Sequence, residues 1–279
     1  MATSSKLLTP KDQVSTRTLL HEAVPVTGQI ISGTYGGDAT VLGSEPNIKN
    51  FPHGMFQSVY DYPYLSSSAN HILDLTMGYS SNSVLSKSTA TDAVQQAKKI
   101  NIYNEMAQVL VGFNESGSVR EFDEDGDLTQ GTKIQEAFFF NFTRLLAKDE
   151  VKKGSFTLEL GTNAEFAAPF AAAGTTTSGS ITLTDASGSS GYKVNSPAGE
   201  YGILYATSSQ TAGTQNPLDT TKIDQNGRVP AGLIYYQAGL AVITASVFSS
   251  LLTAPPSASF MSLAERTSVG LAGSLTGSL

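Results

Sequence analysis

The sequence predicts a mainly β (α+β) protein, with an antiparallel β-sandwich-like core, one long amphipathic helix, an extended N-terminal arm and a C-terminal tail. Three observations carry this prediction. Several short segments alternate bulky apolar with polar residues, the period of a pleated surface. Turn formers separate those segments, with 26 Gly and 11 Pro spread through 279 residues. One long stretch repeats apolar residues at helical spacing between helix start and stop signals.

Residues 1–50 read as the arm. Thr16–Leu20, Val24–Val26 and Gln29–Ile31 are short extended pieces among Pro25, Gly28, Gly33, Gly36 and Gly37. Such an arm keeps its order when it packs on a neighbour. Residues 51–252 read as a single β-rich core domain. It begins with an aromatic segment, Phe51, Phe56, Tyr60, Tyr62, Tyr64 and Tyr79. Pro63 forces Tyr62-Pro63-Tyr64 to be extended or turned. These rings either anchor loops on the core or form a subunit interface, where Tyr and Phe are enriched. His71–Thr76 (HILDLT) alternates as a strand.

The helix is expected over residues 92–111. Asp92 caps it, Gln95 completes a capping box, and Gly112 stops it. Ala93, Ala97, Ile100, Tyr103, Ala107 and Leu110 form the buried stripe, with Lys98, Lys99, Asn101, Asn104 and Gln108 on the wet side. Phe138–Leu160 (FFFNFTRLLAKDEVKKGSFTLEL) reads as strand, turn, strand, and this pair is expected at the centre of the main sheet. A helix over Ile134–Leu146 is the alternative, because Ile134, Phe138, Phe142 and Leu146 fall four apart. Residues 161–200 are rich in Ala, Gly, Thr and Ser and hold one clear strand, Ser180–Thr184. Tyr201–Ala206, Ala231–Gln237 and Leu240–Val247 complete the strands, with Ala238-Gly239 as a tight turn. Residues 253–279 form the tail, with a short helix candidate at Ser257–Arg266 and a Gly/Ser/Leu end.

Composition narrows the function. Charged residues are 15% of the chain, low against a usual value of about 25%. A surface rich in neutral hydroxyls and poor in charge suits a protein whose faces are used in an assembly. Net charge is −7 and no basic patch interleaves with aromatics, so nucleic acid is not an expected partner. There is no cysteine, which excludes disulfides and thiolate metal sites. The N-terminal MATSSKLLTPKDQ has no apolar segment, so no signal peptide is expected. Ala231–Leu252 is too polar for a membrane helix, and no membrane partner is expected.

The strongest polar constellation is Asp123, Asp125 and Asp127, three carboxylates at a spacing that hard cations favour. Calcium is therefore the one cofactor to consider. The EF-hand pattern needs Gly at position six and Glu at position twelve, where this loop has Leu128 and Ile134. A solvated acidic loop without an ion is the competing reading. His21, His53 and His71 are scattered and lack zinc spacing. His71, Asp74 and one of Ser66, Ser67 or Ser68 leave a nucleophilic triad open, since such groups meet only in three dimensions. Gly188-Ser189-Ser190-Gly191 is one residue short of a nucleophile elbow. No phosphate-binding glycine loop occurs, and Glu159 has no acid partner for glycoside chemistry. No catalytic residue is assigned, and a non-enzymatic role is expected.

Several segments together carry a family likeness. Ile102–Gly112, Phe122–Asp127, Phe138–Leu160 and Gly232–Thr244 resemble virion structural proteins of large tailed bacteriophages, in particular those of T4-like myoviruses of cyanobacteria. The likeness is most specific at Arg144, Asp149, Lys153, Gly154 and Phe156. It implies a virion component in the tail or baseplate, surrounded by copies of itself and other virion proteins. A neck or capsid-decoration protein is one alternative. A carbohydrate-binding or receptor-binding tail β-sandwich is another, with Tyr60, Tyr62 and Tyr64 stacking on sugars. The interface expected on the assembly reading is the aromatic segment Phe51, Phe56, Tyr60, Tyr62 and Tyr64.

Overall fold

Three consecutive phenylalanines, Phe138, Phe139 and Phe140, decide the architecture. In a strand, neighbours point to opposite faces, so a strand of this kind needs cover on both sides. All three are buried. In the computed structural model the described residues are 47–51, 55–87, 93–126, 131–146, 150–161, 180–208, 223, 226–245 and 247. Most of the arm, the whole tail and Asp127 lie outside them.

The described elements are β1 (Ile48–Asn50), β2 (Gln57–Tyr60), β3 (His71–Tyr79), α1 (Ala93–Leu110), β4 (Phe122–Asp123), β5 (Lys133–Ile134), β6 (Glu136–Asn141), β7 (Thr157–Gly161), β8 (Ser180–Thr184), α2 (Gly188–Gly191), β9 (Lys193–Ser196), β10 (Gly199–Ser208), β11 (Val229–Tyr235) and β12 (Leu240–Thr244). Ten strands pair in one antiparallel sheet, in the order β1-β2-β3-β6-β12-β11-β10-β8-β7, with β9 joined to β10. The sheet curls into a half-barrel. The chain is thus mainly β with few helices. The strands do not divide into two facing sheets as a sandwich would have them, because β3, β6, β12, β11 and β10 hydrogen-bond continuously.

The two faces of this sheet carry two cores. Phe138 and Phe140 join Ile181, Leu183, Leu204, Ala206, Ala241 and Ile243 on the first face. Phe139 joins Tyr201, Leu233, Tyr235 and Val242 on the second, where α1 contributes Ile102, Tyr103, Ala107 and Leu110. Continuous apolar runs in β6, β11 and β12 follow from this two-sided burial.

Segment 138–146 is strand as far as Asn141 and then a 3-10 turn over Thr143–Leu145. The helical alternative is not formed. The expected pairing of this strand with the one ending at Leu160 is corrected. β6 pairs with β3 and β12, whereas β7 pairs with β8 at the far end of the sheet. The reason is visible in exposure: β6 is buried on both faces, while β7 alternates exposed and half-buried positions, the pattern of an edge. Residues 48–50, read as the end of the arm, form the other terminal strand of the order. The β11–β12 hairpin turns at Gly239, whose φ of 62° suits glycine.

The helix also differs in its face. Lys99, expected in solvent, is buried, and Ala97, expected inside, is exposed. The buried stripe is Lys99, Ile102, Tyr103, Ala107 and Leu110. Gly78 in β3 explains the rotation. A Cβ at Gly78 would lie 2.8 Å from both the Lys99 carbonyl oxygen and the Tyr103 nitrogen, so only glycine lets the helix backbone come this close. Burial pushes the Lys99 ammonium down to a pKa of about 8, helped by neighbouring Lys98. The Tyr103 hydroxyl donates to the Ile134 carbonyl at 2.6 Å and accepts from the Phe122 N–H at 3.2 Å. It thereby ties α1 to the small β4–β5 ribbon. Among the described residues no helix is long and apolar enough to cross a membrane.

Candidate functional site

The aromatic segment lies along the β1–β2 end of the sheet. Phe51 follows β1, Phe56 precedes β2, and Tyr60 ends β2. The Phe51 and Phe56 rings are 4.7 Å apart, and Tyr60 lies 6.3 Å from Tyr64 and 5.3 Å from the His71 ring. The Lys49 ammonium sits over both Phe51 and Tyr64. Phe51, Tyr60, Tyr62 and Tyr64 are half-buried and Phe56 is exposed. These rings neither enter the core nor stand free. They form a strip of partly covered apolar surface, and Leu65 beside them is 70% exposed.

A carboxylate fixes the loop that presents Tyr62 and Tyr64. Asp61 Oδ1 accepts from the Tyr62 N–H at 2.8 Å and from the Asn70 N–H at 2.6 Å, and Oδ2 accepts from the Asn70 side-chain amide at 2.9 Å. Burial works against the charge here, but these donors outweigh it and hold the pKa below the ordinary carboxylate value. The strip is therefore built on a pinned loop.

The acidic loop is divided by the fold. Asp123 is fully buried in β4 and pairs with Lys133 directly across the ribbon. Burial, the largest influence, raises its pKa, with the nearby Asp125 acting in the same direction and Lys133 against it. Asp125 is exposed. The two carboxylates converge over Gly131, where a Cβ would lie 3.2 Å from Asp125 Oδ2 and 3.3 Å from Asp123 Oδ1. Asp127 is outside the described residues. Among the described residues no group of three or more His, Cys, Asp or Glu is placed to hold a metal ion. A lysine already supplies countercharge to Asp123, and the described part fits a closed ribbon turn.

The polar groups around His71 resolve into a different order from a hydrolytic triad. His71 Nε2 lies 2.7 Å from Asp74 Oδ1, and the Ser58 hydroxyl donates to the same oxygen at 2.5 Å. The sequence is Ser–Asp–His, with the carboxylate in the middle. In a triad the imidazole stands between acid and serine so that it can take the hydroxyl proton. Here the serine is bound to the acid. Ser66 instead accepts the Ser68 N–H. His21 and His53 lie outside the described residues.

Asp74 also borders a cavity of about 320 Å³ between α1 and the sheet. Its floor is two cross-strand pairs, Asp74 with Asn141 and Thr76 with Phe139. Ile102, Glu105 and Met106, spaced three and one along α1, form one wall. Met55 and Phe56 form the other. The sequence reading missed this site. Its one visible signal is Asp74, the one acid in the strand HILDLTMGY; Glu105 and Met106 join only through the placement of the helix. No family model, no curated protein and no solved structure matches the chain.

Proposed function

We propose that this chain is a non-enzymatic structural component of a tailed-phage virion, located in the tail or baseplate region, that works by subunit–subunit contacts. The observation that carries the reading is the aromatic strip at the β1–β2 end of the sheet. Partly covered Tyr and Phe rings on a pinned loop have the composition and rigidity of interface anchors. Val109 and Phe113, 63% and 53% exposed near the end of α1, add a second apolar patch. Low charge, the resemblance of four segments to phage structural proteins, and polar clusters arranged as ties support the same reading. Partners on this reading are further copies and other virion proteins, and the location is the virion.

Mass spectrometry of purified particles is the direct test, with antibody labelling under the electron microscope to position the protein. The expected result is presence in stoichiometric amount, with label at the tail or baseplate. Label at the neck or capsid would move the chain to that part of the particle. Absence from intact particles would overturn the structural reading.

A further inference from the structure

We infer that the cavity between α1 and the β3–β6 floor is a docking groove for a lysine or arginine side chain, flanked by an apolar residue, on a partner protein. This inference goes beyond the virion reading and does not need it, because it rests on the groove alone. The cavity, about 320 Å³, lies at the small end of the range for ligand pockets, about 300–1,000 Å³. It has room for one or two side chains.

Its chemistry is one-sided. Two lining residues, Asp74 and Glu105, are acidic, and none is basic. Ser58 and His71 both bind Asp74 through Oδ1, and 28% of its side chain stays exposed to an incoming donor. Glu105 is exposed on α1. The remaining surface is largely apolar, with Phe56, Met106 and Phe139. An apolar bed with carboxylates beside it complements a long aliphatic stem that ends in a cation. Methionine walls suit such a guest, since their flexible thioethers adapt to its shape. An acidic or neutral apolar guest would cover Glu105 without bringing it a countercharge.

The test uses the full chain and two synthetic probes, acetyl-Leu-Arg-Leu-amide and acetyl-Leu-Glu-Leu-amide, followed by NMR titration. Saturable shifts from the arginine probe are expected at Thr76, Met106 and Phe139, and none from the glutamate probe. Glu105→Lys reverses a charge on an exposed helix position, and binding should weaken by about tenfold or more, with a smaller loss for Glu105→Gln. Circular dichroism checks that both variants keep the fold. Equal binding of the two probes, no saturable shift from the arginine probe, or undiminished binding to Glu105→Lys would each overturn the inference.

Discussion

Asp185 and Asp74 stand near opposite ends of the strand order, and the fold treats them differently. Asp185, just after β8, is buried and saturated. Its carboxylate accepts the Gly154 N–H at 2.6 Å, the Phe156 N–H at 2.9 Å and the Tyr236 hydroxyl at 3.1 Å. Glycines make the room: a Cβ at Gly188 or Gly202 would collide with the Tyr236 hydroxyl. Asp74 keeps 28% of its side chain exposed and has donors on one oxygen only. The closed aspartate joins three segments of chain, the turn before β7, the end of β8 and the β11–β12 turn. The open one borders a groove. A buried carboxylate must be saturated from within the chain, whereas a part-exposed one can still take a donor from outside.

The largest effect is expected on the closed side. Asp185→Ala leaves two N–H groups and a hydroxyl without their acceptor. The cost should be on the order of 3–5 kcal/mol, read as a fall of roughly 10 °C in Tm. Asp74→Ala, part-exposed, should cost about 1 kcal/mol. Similar losses at both positions would break the distinction. Acid titration sharpens it. Burial, the largest influence, raises the Asp185 pKa above its ordinary 3.8 despite the hydrogen bonds that lower it. A raised carboxylate binds its proton more tightly in the folded chain. Its stabilising contribution is therefore full below the ordinary value and is lost as pH rises through the raised one. The stability of wild type relative to Asp185→Asn should accordingly be greater at about pH 3 than at about pH 7, measured by urea midpoints.

An intermediate effect is expected where helix and sheet touch beside the groove. Gly78→Ala places a methyl group 2.8 Å from two backbone atoms of α1 that no rotamer change can move. Overpacking of this kind costs about 1–3 kcal/mol. The helix should lift, and amide exchange should quicken around Tyr103 while the β10–β11–β12 region stays protected. Uniform loss of protection across both regions would show that the helix side is not separable from the central sheet.

Local chemistry was the part of this fold legible in the sequence. The β11–β12 hairpin showed itself through two apolar runs joined at Gly239, and Ser180–Thr184 through its period. Which strand pairs with which was hidden. Alternation in Thr157–Gly161 reports a half-covered strand, but it cannot name the partner, and β7 lies five places from β6 in the sheet. The helix was legible and its face was not, because the rotation depends on Gly78, a contact from another element. At the sites, the aromatic segment stood out by composition. Asp123 was legible as an acid but not as a buried one, since its partner Lys133 reaches it only when β4 and β5 pair. Glu105 gave no signal, because a surface glutamate on a helix looks the same beside a groove as beside water.

The smallest effect on stability should come from the aromatic strip. Tyr62 is half-buried, and its position is set by the main-chain bond to Asp61. Tyr62→Ala keeps that bond and should change the stability of the isolated chain by under about 1 kcal/mol, checked by thermal unfolding. If the strip anchors a partner, the same substitution removes a ring from the contact, where single aromatic residues often contribute about 2 kcal/mol or more. On the proposed virion role, incorporation into particles should then fall steeply in a complementation assay, although the free protein is folded. Phe139→Ala, in the core, should lose folding and incorporation together. A Tyr62→Ala chain that assembles as well as wild type would show that the strip only seals the end of the sheet. Proteins held by their neighbours are expected to show such a separation, with side chains that matter little to the free chain deciding assembly.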